Sequence, residues 1–294
     1  MSHPVDALVA RFGEAGLRRF GTDAEAADPD APEAAALARI AGLALPLQVG
    51  PYFRTDGSEP ASVRGYAVQT DRSLSDEVQL SWSRLGSDGG YEITATPEGG
   101  VQALLLDYDE PLRFVNSSPE ELASALLGLD GLLGLLGRTD SPEAAEAAVL
   151  AFERQLQEAD PRAFADRESW WPLVLDDIRD TSTVADYAAF EVVDADGEKK
   201  IFTGSGGIAL HPEEKLWAAL EGAGVRPEQV TGVHTDLEAC YLPGHYCSMW
   251  LAATFPDATV THSFDYGETA ASRSSGIAAL RAATASAPEA GSPS

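Results

Sequence analysis

The chain has 294 residues, long enough for two domains of ordinary size, each with its own core. Its 47 Asp and Glu against 20 Lys and Arg leave a formal charge of −27. This argues against avid, non-specific binding to nucleic acid, which rests on basic side chains neutralising phosphates. The acidity is spread along the whole chain and Lys occurs only three times, so charge says little about substrate and leaves room for a local basic groove. The longest apolar stretch, 122–136, is broken by Ser124, Gly128, Asp130, Gly131 and Gly134, too short and interrupted to span a bilayer. The first residues lack the basic and apolar regions of a signal peptide. Two cysteines cannot make a disulfide framework, so no membrane and a cytoplasmic location are expected.

In chain order, the pattern predicts helices over 5–20 and 32–41 with an Asp/Ala-rich turn between them. Strand-like segments follow at 45–53, 63–69, 78–82, 91–96 and 101–106, divided by Gly, Asp and Ser clusters. Ser118 before Pro119 and Glu121 reads as a helix start, with N-cap, N1 proline and a capping-box acid at N3. That helix is expected to reach about 127, with a further apolar stretch to 136. Another helix is expected over 142–159, ending at Asp160-Pro161, and Trp170-Trp171-Pro172 leads a short apolar segment over 173–178. Strands then helices imply an α+β domain.

The segment from Tyr91 to Ile178 resembles the immunity-protein branch of the SUKH superfamily, associated with bacterial toxin systems. The resemblance rests on the strand pair, the Phe114-Val115-Asn116-Ser117-Ser118 helix start, the Asp160-Pro161 turn and the Trp170-Trp171 pair. It implies a domain that binds another protein, a toxin or effector, and has no enzymatic site of its own. Each motif also has a folding reading: Asn116 and Ser117 as capping or turn residues, the two tryptophans as core or domain-interface residues.

Thr181-Ser182-Thr183 reads as a linker, and the pattern then changes. A hairpin is expected from 190–193 and 200–203 around Asp194-Ala195-Asp196-Gly197. A Gly-rich approach, 204–207, leads to His211 and a helix to about 222; without a following Lys-Ser/Thr it is no phosphate loop. A strand over 230–235, a helix over 246–255, a strand over 259–264 and a helix over 270–283 complete a β-β-α-β-α-β-α order. The domains expected are thus 1–183, α+β; 184–285, an α/β three-layer sandwich; and a disordered tail, 286–294.

The only cysteines, Cys240 and Cys247, lie about thirty residues beyond His211-Pro212-Glu213. One His and two Cys as metal ligands, with a Glu that moves protons, is the residue order of zinc-dependent nucleobase deaminases. A catalytic zinc takes three protein ligands and leaves its fourth place to water. His211, Cys240 and Cys247 supply three, and Glu213 is the expected proton carrier. Glu214 is its neighbouring competitor, set aside on spacing alone. Cys247 is expected to open a helix, whose positive end would lower its thiol pKa. Competing readings are a pair of buried structural thiols, or a structural zinc held through His245 in place of His211. Phe202, Thr235, Tyr246 and Tyr266 are substrate-pocket candidates; His234 and His262 are expected as core or pocket-edge residues, and Glu238 as a structural hydrogen-bonding group.

His211-Pro212-Glu213, the run from Thr235 to Cys247 and the segment from Val260 to Gly267 resemble the cytidine-deaminase-like superfamily over about 200–282. The match is to the nucleic-acid or nucleotide deaminases of bacterial polymorphic toxins. The chain departs from the wider pattern at Ala239, where a proline is usual, and in the six residues between the cysteines, which require 241–246 to loop out. The resemblance implies zinc, a cytosine- or adenine-containing nucleotide or single-stranded nucleic-acid substrate, and a hydrolytic deamination. A second reading keeps the deaminase fold and its zinc as structure within a toxin-immunity or interaction protein.

Overall fold

The computed structural model describes residues 4–21, 31–139 and 141–286. The Asp/Ala-rich turn and, Ser286 apart, the C-terminal tail expected from sequence lie outside the described residues. The chain divides into two compact units: Met1–Asp176 with Pro243–His245, and Asp177–Leu242 with Tyr246–Ser294. Helix and sheet are mixed in both. No helix among the described residues is long and apolar enough to cross a membrane.

The first unit begins with α1 (Pro4–Phe12), β1 (Leu17–Arg19), α2 (Ala34–Ile40) and β2 (Ala44–Pro46). The first helix stops at Phe12 and a 3₁₀ turn, Glu14–Gly16, follows, so the single helix expected over 5–20 is two helical pieces and a strand. Strands β3 (Gln48–Val49) and β4 (Phe53–Arg54) follow, so three short strands, β2 to β4, replace the one long strand expected over 45–53. Two other expected strands are helices: α3 (Val63–Thr70) and α4 (Glu77–Leu80). Their caps decide it: Ser62 Oγ accepts from the Gly65 amide, and the Asp76 carboxylate accepts from the Val78 and Gln79 amides. After them come β5 (Ser83–Ser87), β6 (Glu92–Ala95), β7 (Val101–Leu104) and β8 (Arg113–Asn116), giving an antiparallel sheet in the order β3-β4-β5-β6-β7-β8.

Helix α5 (Pro119–Leu136) starts as its sequence requires, with Ser118 Oγ accepting from the Glu121 amide and proline at N1. It continues past residue 127 in one piece because Leu122, Leu126, Leu129, Leu132 and Leu136 bury along one stripe. Gly128 is needed there: a Cβ would sit 2.7 Å from the Phe152 ring of α6 (Pro142–Ala159). Helix α7 (Trp170–Thr183) follows, its first residues Trp170 and Trp171 both fully buried. The Trp170 indole donates to Asp88 at 2.8 Å and that of Trp171 to Asn116 Oδ1 at 3.0 Å. The Asp160 carboxylate accepts from the Ser117 amide and hydroxyl and from Asn116 Nδ2. Asn116 and Ser117 therefore tie the start of α5 to the end of α6. The segment expected as a linker, 181–183, is the last turn of α7, and the division into units falls inside this helix.

The second unit carries a four-stranded sheet in the order β10-β9-β11-β12. Strands β9 (Tyr187–Val193) and β10 (Lys199–Ser205) form the expected hairpin around Asp194 and Gly197. Helix α8 (Pro212–Gly222), β11 (Val230–Leu237), α9 (Cys247–Thr254), β12 (Thr259–Phe264) and α10 (Ala270–Ser286) follow. Strand β11 runs antiparallel to β9 and parallel to β12, which a helical crossover such as α9 allows. Phe190, Trp217 and Phe255 form the aromatic centre of the core, with Leu220, Val233 and Leu251 around them.

Candidate functional site

In open α/β sheets ligands bind beyond the carboxyl ends of the strands, and the sequence-predicted residues gather at the ends of β11 and β12. His211 is the N-cap of α8, and Pro212 takes N1, where its missing N–H costs nothing. Glu214, at N3, turns its carboxylate back to the His211 amide at 3.3 Å. Glu213 is thereby left on the buried side of the helix, 4% exposed. The chain leaves β11 through Glu238 to Cys240. Tyr246 then enters α9 in the left-handed region, φ 46, and delivers Cys247 as the first helical residue. The Ser248 amide donates to the Cys240 carbonyl at 3.1 Å and holds the two cysteine segments together.

These elements bring His211 Nδ1 to 3.2 Å from Cys247 Sγ and 3.5 Å from Cys240 Sγ. One donor atom from each of the three lies within 4.8 Å of the others, a cluster that could hold a metal ion. The Glu213 carboxylate stands 4.0 Å from the same ring nitrogen. On the other side of the ring, His211 Nε2 is 2.7 Å from Asp177 Oδ1. An imidazole nitrogen with two sulfurs is a borderline-soft donor set of the kind that divalent zinc takes.

In this cluster burial and neighbouring charges act on His211, Glu213 and Cys247. Burial alone would lower the His211 pKa, but the charges of Cys240 and Asp177 outweigh it and hold the ring pKa well above its ordinary value. Burial pushes the Cys247 thiol well up, and Cys240 and Glu213 add to that. The expected lowering by the start of α9 is thus overridden here, because burial and neighbouring negative charge exceed a helix end. Burial likewise raises the Glu213 carboxyl, against the opposing pull of His211. The cavity beside the cluster is lined by Asp177, Asp180, Asp186, Glu213 and Glu238, and by no Lys or Arg among the described residues.

Of the pocket candidates, Thr235 and Tyr266 line this cavity. Thr235 is 1% exposed and its Oγ1 has no hydrogen-bond partner among the described residues. The Tyr266 hydroxyl donates to Asp180 at 2.8 Å, while Glu238 accepts from the Tyr266 and Gly267 amides, the structural part expected of it. Gly276 of α10 lets that helix press on the Tyr266 loop, since a Cβ there would collide with the Asp265 carbonyl. Tyr246 sets the turn into α9 and is buried without lining the cavity; Phe202 sits on the edge strand β10, 38% exposed, outside it. His234, expected as a core or pocket-edge residue, is exposed on β11 and bonded to Thr261 and Ser263; His262, exposed too, faces Asp265. His245 groups with the first unit, its ring edge-on to Tyr52 at 5.9 Å.

Sequence reasoning missed Asp177, Asp180 and Thr181, all on α7 and all lining the cavity. Their signal was spacing: positions 177, 180 and 181 share one helix face, a polar stripe near the end of the helix.

Two family models match the chain. SUKH-4 immunity protein matches residues 4–177, and Xanthomonas-like deaminase matches residues 183–283. No curated protein and no solved structure matches it. With more than half its length in the first match, the chain belongs to the SUKH-4 immunity protein family and carries a deaminase-family domain behind that immunity domain.

Proposed function

We propose that the second unit is a zinc-dependent hydrolytic deaminase of a cytosine- or adenine-containing nucleotide or nucleic acid, built as a three-layer α/β sandwich. The first unit then binds a protein partner, a toxin or effector, in the cytoplasm. The observation that carries the reading is the convergence of His211, Cys240 and Cys247 with the Glu213 carboxylate beside them. His211 Nδ1 and the two sulfurs would hold the ion; when bound, zinc supplies a Lewis acid that makes water a nucleophile near neutral pH. Glu213 accepts one proton of the attacking water and passes it to the ring nitrogen next to the attacked carbon, then carries the second, released by the new hydroxyl, to the departing amine. Carbon exchanges its C–N bond for a C–O bond, and ammonia leaves. Burial around Glu213 keeps bulk water from competing for these protons. Thr235 and Tyr266, which line the cavity beside the cluster, are the residues proposed to contact the base.

Ammonia release by the zinc-loaded chain across nucleosides, nucleotides and single-stranded oligonucleotides tests this. Glu213→Gln should keep metal and fold but lose about 10²–10⁴-fold in rate, because an amide cannot accept the proton. Glu214→Gln should be nearly silent, since a glutamine oxygen still accepts from the His211 amide. An active Glu213→Gln beside a dead Glu214→Gln would overturn the assignment. Metal without ammonia release from any of these substrates would leave the cluster a structural one.

A further inference from the structure

Asp177, Asp180 and Thr181, in the last two turns of α7, precede the residues matched to the deaminase family, yet they hold three separate parts of its candidate site. Asp177, 1% exposed, meets His211 Nε2 at 2.7 Å. Asp180 accepts from the Tyr266 hydroxyl at 2.8 Å. The Thr181 hydroxyl donates to the Asp177 carbonyl at 2.8 Å and accepts from the Ala209 amide at 3.0 Å. Ala209 is itself in the left-handed region, φ 50, in the loop that delivers His211. A fourth bond, from Arg281 to Thr183 at 2.8 Å, fastens the helix end to α10.

We infer that Asp177 is a positioning residue for the metal cluster, supplied by the helix that ends the immunity domain. A carboxylate can only accept, so the nitrogen of a neutral imidazole that faces it carries the ring proton. The other nitrogen, Nδ1, then presents its lone pair to the point where Cys240 and Cys247 converge. Fixing tautomer and ring orientation together is what an outer carboxylate does for a metal-bound histidine, and its loss typically weakens metal binding about 10–100-fold. Without Asp177 the ring is free to turn about its side-chain bonds and to carry its proton on either nitrogen.

The inference rests on the metal reading above, so the test separates the two. Full-length chain, freed of metal with a chelator, is titrated with zinc against a competing chelator and with Co²⁺ followed by visible absorption. Asp177→Ala should bind zinc about 10–100-fold more weakly. Its Co²⁺ bands should be displaced while the sulfur-to-cobalt absorption persists, because both thiolates remain. Asp177→Asn, whose carbonyl oxygen still accepts from Nε2, should restore part of the affinity. The displaced Co²⁺ bands and the partial rescue by Asp177→Asn are readouts that a merely structural residue would not move. Parent-like affinity and spectrum in Asp177→Ala, alongside lost binding in Cys240→Ser, overturns the positioning role alone. Parent-like binding in Cys240→Ser overturns the metal reading. Should Asp177→Ala not fold, Asp177→Asn decides: weakened binding supports the role, and unchanged affinity and spectrum overturn it.

Discussion

Arg84 in the first unit and His211 in the second are both buried cationic or basic groups among acids, and their surroundings differ in completeness. The Arg84 guanidinium bonds Glu92 at 2.6 Å and Glu59 at 2.7 Å and lies 3.6 Å over the Tyr66 ring. In the same unit Asp88 has the Trp170 indole, and Asp160 has three donors from Asn116 and Ser117. In the second unit Asp177, Glu213, Cys240 and Cys247 crowd around one imidazole, and the buried Thr235 hydroxyl has no hydrogen-bond partner among the described residues. A buried ion pair and its hydrogen bonds specify a fold, whereas one His and two Cys donor atoms converging on a point make a cluster that could hold a metal ion. Buried charge in the immunity unit is paired within the scaffold, and in the deaminase-family unit it surrounds the candidate site.

The sharpest way to break this contrast is to remove one buried charge from each unit. Arg84→Met leaves Glu92, 2% exposed, with only the longer ion pair to Arg72 at 3.6 Å among the described residues, and should cost about 3–5 kcal/mol in urea unfolding of the chain. Arg84→Met with Glu92→Leu should recover most of that loss, since well-packed apolar residues often replace a buried ion pair at little cost. Glu213→Gln should leave metal-free stability undiminished, because it takes a carboxylate out of a cluster with too many. Equal losses at Arg84 and Glu213 would remove the distinction between scaffold and site.

A smaller effect probes the indole contacts. Trp171→Phe deletes the donor to Asn116 Oδ1 and should cost about 1–3 kcal/mol for the unsatisfied oxygen, with the volume change in addition. Metal binding by the second unit should be unchanged, as competitive zinc titration would show. A parallel loss of metal would mean that Trp171 supports the cluster as well as its own core.

Local chemistry was legible in the sequence and distant pairing was not. Ser118, Pro119 and Glu121 announced α5, and α6 runs over the residues expected, because caps and helix stripes are written within a few positions. Val63 and Val78 suggested strands; the short helices there depend on the Ser62 and Asp76 caps, which composition alone obscures. His211, Cys240 and Cys247 stood out because His and Cys are scarce in this chain. Asp177 and Asp180 did not, since they are two acids among 47 and their partners lie 34 and 86 residues away. Phe202 was drawn in by being aromatic, and its place on the edge strand follows from a hairpin register that no local signal fixes.

The smallest expected effect concerns Tyr266, which links the loop after β12 to Asp180 on α7. Burial and the negative charge of Asp180 hold its phenol pKa well above the ordinary value of 10. The unfolded chain releases this proton near pH 10 while the folded chain retains it. The contribution of Tyr266 is therefore complete below pH 10 and is lost as pH rises from there toward the folded pKa. Tyr266→Phe should cost about 0.5–1.5 kcal/mol at pH 8, the worth of an ordinary hydrogen bond. Its deficit against the parent chain should shrink above pH 10, by at most about 1.4 kcal/mol per pH unit. Urea unfolding of both proteins between pH 8 and pH 11 measures the difference directly. Curves that stay parallel across that range would show that the hydroxyl of Tyr266 is not an anchor, and that α7 holds the site through Asp177 and Thr181 alone.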